Sequence, residues 1–133
     1  MSDEDSFRLG QVGQIVIGVA DIGRSRDFYG RVLGLRELFA NATASVYDCG
    51  EVRLVVEARA DHATVRPGSP IYFRVDDLGR ARRGLEARGV VFTQAVDLGG
   101  ELGERELWLA HFRDPDGHRL ALMMEIPKGF SPQ

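Results

Sequence analysis

The sequence has one cysteine in 133 residues, Cys49. That excludes an internal disulfide and any metal site built from several thiolates, and it fits a reducing, cytoplasmic setting. A basic surplus is missing too: 17 Lys and Arg against 20 Asp and Glu leave a net charge of −3. Phosphate backbones demand a dense positive face, so no nucleic-acid partner is expected. No apolar run approaches the ~20 residues of a membrane span. The N-terminal MSDEDSFRLG lacks the basic and apolar regions of a secretion signal. The expectation is a cytoplasmic protein with no membrane partner.

Glycine, by contrast, is plentiful at 16 residues, which points to many tight turns and a β-rich chain. The length is that of one domain with a real core. A hydrophobic share of 44% and a charged share of 28% are those of an ordinary globular protein.

One phrase occurs twice. VADIGRSR at 19–26 returns as VDDLGRAR at 75–82, with Asp21 matching Asp77, Gly23 matching Gly79, and Arg24 and Arg26 matching Arg80 and Arg82. Each copy follows a short β-branched or apolar run, QIVIGVA at 14–20 and IYFRV at 71–75. Each opens with an aspartate able to accept from the first free amides of a helix. Ile22, Ser25, Phe28, Tyr29, Val32 and Leu33 then fall on one helical face, and Leu78, Ala81 and Leu85 on another. Gly34 and Gly89 stand where a left-handed residue ends such helices. Strands are predicted at 35–40, 44–48 and 52–58, and again at 90–96, 106–112 and 120–125. DPDG at 114–117 reads as a type I turn. The fold class is therefore α+β, a tandem βαβββ repeat. A tail at 1–10 leads to a first module at 11–58, a linker at 59–69 carrying His62, a second module at 70–126 and a tail at 127–133. LGGELG at 98–103 reads as a flexible loop over the cleft, with no helix start to make it a phosphate cradle.

QIVIGVADIGRSRDFYGRVLGL at 14–35, IYFRVDDLGRARRGLEARGV at 71–90 and FRDPDGHRLALMME at 112–125 together resemble the vicinal-oxygen-chelate superfamily of glyoxalases, bleomycin-resistance proteins and extradiol dioxygenases. The resemblance implies two half-sheets curving around a cleft with the helices outside. It also implies a homodimer, sometimes with exchanged halves. Metal-dependent members aim four ligands into the cleft from strands one, four, five and eight. Alternation along the strands sets Gln14, Val55, Pro70 and Ala121 at those places. Three of the four have no donor atom, so no cofactor is expected, and the leading function is metal-free binding of a small organic molecule. The alternative is a lyase, isomerase or dioxygenase with nickel, zinc, iron or manganese on displaced ligands: Gln14, Glu57, Glu125 and His111, the last on a strand whose facing the pattern leaves open.

Other candidates come from the cleft face. Arg53 and Arg74 suit carboxylate or phosphate recognition, or else pair with Glu57 and Glu125. Trp108, Phe112, Tyr72 and Met123 suit an aromatic and apolar wall, or else an ordinary core. Glu57 or Glu125 with Tyr72 suits acid–base chemistry. DPDGH does not continue as a calcium loop, since Arg119 stands where such a loop needs glycine. His118 beside the turn reads as solvated, and Cys49 has no basic neighbour to activate it.

Overall fold

The computed structural model describes residues 7–59 and 68–130. The outer parts of both assigned tails, and linker residues 60–67 with His62, lie outside the described residues. The first module runs β1 (Gln14–Val19), α1 (Ile22–Arg26), a π-helical turn (Asp27–Val32), β2 (Arg36–Ala40), β3 (Ala44–Cys49) and β4 (Val52–Ala58). The second runs β5 (Ile71–Arg74), α2 (Leu78–Ala87), β6 (Asp97–Leu102), β7 (Arg105–Arg113) and β8 (Arg119–Pro127). Each module makes one four-stranded sheet, in the order β1-β4-β3-β2 and β5-β8-β7-β6. In both, the first strand lies parallel to the last and the others are antiparallel. The repeated phrase thus builds the same α+β unit twice.

The helix starts form as their aspartates predict. Asp21 Oδ1 accepts from the Arg24 amide and Asp77 Oδ1 from the Arg80 amide, both at 3.0 Å. Gly34 and Gly89 take positive φ, 77° and 94°, a region costly to any residue with a Cβ. The first helix does not stay α-helical to its end. From Asp27 it widens, and the Leu33 amide reaches back to the Phe28 carbonyl at 2.9 Å. Gly30 lies in that turn with the Tyr47 ring 3.8 Å from where a Cβ would stand, and its freedom suits the wider geometry.

One strand sits elsewhere than predicted. VVFTQAV at 90–96 is irregular, and β6 is DLGGEL, the segment read as a loop. Val90, Phe92 and Val96 pack on the core without pairing. Ladder formation with β7 overrides the low strand propensity of the two glycines. Gly99 is where the Leu109 side chain fits, in a stretch where the register shifts between Leu98 and Gly100.

A single core joins the halves. Val19, Leu54 and Val56 from the first sheet, Tyr29 and Val32 from its helical arm, Leu78 and Leu85 from α2, and Phe112, Leu120, Leu122 and Met124 from the second sheet form one buried cluster. Each such side chain is worth about 1.5–3 kcal/mol when buried. The DPDG turn closes as predicted, the Gly117 amide on the Asp114 carbonyl at 3.0 Å, and it also ties the two modules. Asp114 Oδ2 accepts from the Tyr29 hydroxyl at 2.7 Å, and its Oδ1 accepts from the amides of Asp116 and His118. Asp116 Oδ1 accepts from the Ala20 amide and from Arg24. His118 is buried, not solvated: its Nε2 lies 2.7 Å from the Gly18 carbonyl. Burial, with the Asp114 charge next, holds the Tyr29 phenol far above its ordinary value.

Candidate functional site

With the helix-side faces of both sheets spent on the core, the opposite faces carry the candidate site. On the first sheet, register aligns Gln14 with Arg53 and Asp48, and Val16 with Val55 and Val46. Val16 stays 48% exposed and Phe39 59%. Arg36 bonds Asp48 at 2.8 Å, while Arg53 has no carboxylate within salt-bridge range among the described residues. Glu57 is exposed beside Gly18 and Ala44.

On the second sheet, Tyr72, Ala121 and His111 stand side by side across β5, β8 and β7. That settles the facing of His111: it looks the same way as Tyr72 and Ala121. Its Nε2 lies 3.5 Å from Asp97 Oδ2, and Gln94 Nε2 donates to the same carboxylate oxygen. The Tyr72 and His111 rings meet edge to face at 6.5 Å between centroids. Ala121 is fully buried between them. A cavity of about 190 Å³ opens here, lined by Pro70, Tyr72, Gln94, His111, Arg113 and Arg119.

The next row holds Arg74, Met123 and Leu109. Arg74 reaches Glu125 at 3.5 Å and Arg105 reaches it at 3.7 Å, the ion pair the alternative reading gave Arg74, while no such pair joins Arg53 to Glu57 among the described residues. The aromatic wall divides. Tyr72 and Met123 share this face, whereas Trp108 pairs with Met124 and packs on the core with the buried Phe112. The reason is parity: 108 and 112 alternate with 109 and 111 on β7. Trp108 is therefore corrected from cleft wall to helix-side core.

The residues present do not fit a metal. Val55, Pro70 and Ala121 offer no donor atom, and Glu125 and His111 of the displaced set are engaged by Arg74, Arg105 and Asp97. No hydrogen bond or ion pair brings Gln14 or Glu57 to either of them, and no three His, Cys, Asp or Glu side chains gather as a metal site, among the described residues. Cys49 is no better placed as a nucleophile, since burial and then the Asp48 charge push its thiol up. What sequence reasoning missed is Asp97, Arg113 and Arg119. Asp97 lay between two misplaced elements. The arginines flank a turn that read as purely structural, yet strand parity from Ala121 would have placed Arg119.

Comparisons with known proteins bear on the fold. Among curated proteins none matches the sequence significantly. A solved integron cassette protein from the mobile metagenome of V. cholerae is 24% identical, with a TM-score of 0.71 over 89% of this chain and 97% of that one. A glyoxalase-related enzyme from Fulvimarina pelagi is also 24% identical, with a TM-score of 0.70 over 87% and 88%. A lactoylglutathione lyase from Agrobacterium tumefaciens is 17% identical, with a TM-score of 0.71 over 88% and 95%. At these identities the likeness is one of fold. The model of one family, glyoxalase/bleomycin resistance protein/dioxygenase, matches residues 11–122, nearly the whole span of the tandem repeat. The chain belongs to that superfamily.

Proposed function

We propose that this chain binds a small organic molecule on its cleft-side faces without a metal, as a cytoplasmic homodimer. The observation that carries the reading is the row Tyr72–Ala121–His111. Where the superfamily's fourth ligand would stand, this chain has a methyl group between a phenol and an imidazole, beside a cavity also lined by Pro70. The cavity's lining, apolar Pro70, Phe112 and Leu120 with polar Tyr72, Gln94 and His111, is the make-up of a small-molecule site. The exposed apolar residues Val16 and Phe39 on the other sheet, with Val55 between them, support a second copy as the cover. No helix of the described residues is long and apolar enough to cross a membrane.

Native mass spectrometry tests the reading, before and after exposure to nickel, zinc, iron(II) and manganese. The expected species is a dimer that retains no metal after desalting, with or without a co-purified organic mass. One tightly held metal per site would sink the proposal and return the chain to the metal-dependent reading.

A further inference from the structure

Arg113 and Arg119 are directly opposite each other on β7 and β8, one row beyond His111 and Ala121 and on the same face. Like charges at such a position ordinarily destabilise a sheet. No carboxylate lies in ion-pair range of either among the described residues. Arg113 donates to the Gly117 carbonyl at 2.9 Å and Arg119 to the Gly68 carbonyl at 3.2 Å, so each fork is anchored by a single nitrogen to backbone. A guanidinium carries five N–H donors, which leaves most of both forks for something else. Both line the cavity that Tyr72 and His111 also line. Asp97, an acidic group on this face, is taken up by Gln94 and His111.

The geometry points to an oxyanion-binding subsite. The molecule this chain takes carries a carboxylate or phosphate group, held between Arg113 and Arg119, with its organic body against Tyr72 and His111. The inference rests on the small-molecule reading above and narrows it to an anionic ligand class. An anion between the two guanidinium groups removes their repulsion and completes their hydrogen bonds at once, in the bidentate manner that favours arginine over lysine. The cavity, about 190 Å³, is below the ~300–1,000 Å³ of drug-sized sites, so a small acid fits the space.

The test is an amide NMR titration of the full chain with benzoate, inorganic phosphate and neutral benzamide. Benzoate or phosphate should shift amides around Tyr72, His111 and Arg119 and saturate, and whichever binds tighter assigns the group. Arg119→Gln and Arg113→Gln should each weaken that binding at least tenfold, and Arg113→Lys, which keeps the charge but not the fork, severalfold. Saturation by neither anion, or binding unchanged in both glutamine variants, overturns the subsite. Binding of benzamide alone overturns it too, while leaving the broader small-molecule reading in place. Both positions are exposed, and unchanged amide spectra elsewhere separate loss of binding from loss of fold.

Discussion

Replacing Tyr29 by phenylalanine removes one oxygen from the junction of the modules and leaves the packing alone. The ring is fully buried, edge to face with Phe28 at 5.2 Å, and its hydroxyl meets Asp114 Oδ2 at 2.7 Å where Asp114 is 5% exposed. Phenylalanine fills the same volume, so no cavity term arises. The cost is the loss of a hydrogen bond to a buried carboxylate, about 2 kcal/mol. For a domain of this size that corresponds to a fall in Tm of roughly 8 °C. Urea unfolding followed by circular dichroism at pH 7 measures it, and a double-mutant cycle with Asp114→Ala isolates it. In the Asp114→Ala background the hydroxyl has already lost its acceptor, so Tyr29→Phe should cost little or nothing, giving a coupling of about 1.5 kcal/mol or more. A loss below ~0.5 kcal/mol in the single variant, or costs that simply add, would refute the view that this bond holds the modules together.

Two further predictions concern the same core and the displaced strand. Because the Tyr29 phenol is held far above its usual value, the native state keeps a proton that the unfolded chain gives up near pH 10. Stability must then fall as pH rises past about 10, by up to ~1.4 kcal/mol per pH unit from this group. Tyr47, raised by burial, acts in the same direction. Urea midpoints at pH 9, 10 and 11 should fall less steeply in Tyr29→Phe than in the parent, and parallel slopes would contradict the assignment. At Gly99 an added Cβ would stand 2.5 Å from Leu109 Cδ1 and 2.9 Å from its Cγ, whereas at Gly100 nothing lies within 4 Å. Gly99→Ala should therefore cost about 1–3 kcal/mol by overpacking and Gly100→Ala close to none. Equal melting temperatures for the two variants would show that β6 does not lie against Leu109.

The parts of the fold that read directly from sequence are those where local chemistry and tertiary need coincide. Asp21, Asp77, Gly34, Gly89 and the DPDG turn each do locally what their residue type favours, and the strands built on them appear where the pattern sets them. Residues 90–102 were misread because propensity and pairing disagree there. The β-branched run packs as irregular chain, and a glycine-bearing segment takes the ladder because Leu109 needs the space at Gly99. Parity on β1, β4 and β8 places Gln14, Val55 and Ala121 on the faces away from the helices, as the register shows. On β7 no flanking feature marked which alternate residues go inward, so Trp108 was placed on the wrong side and His111 on neither. The burial of His118 depends on the Gly18 carbonyl, 100 residues away along the chain, which no local pattern encodes.

The bonds around the DPDG turn tie one corner of the second module to the first. The first module supplies the Tyr29 hydroxyl, the Gly18 carbonyl, the Ala20 amide and Arg24, and the second answers with Asp114, Asp116 and His118. At the matching corner of the first module, between β3 and β4, stands only the short Gly50–Glu51 turn. The repeats still share their opening phrase, but they have become plug and socket. A chain that doubled either module would therefore lack one side of this junction, so the two halves are not interchangeable.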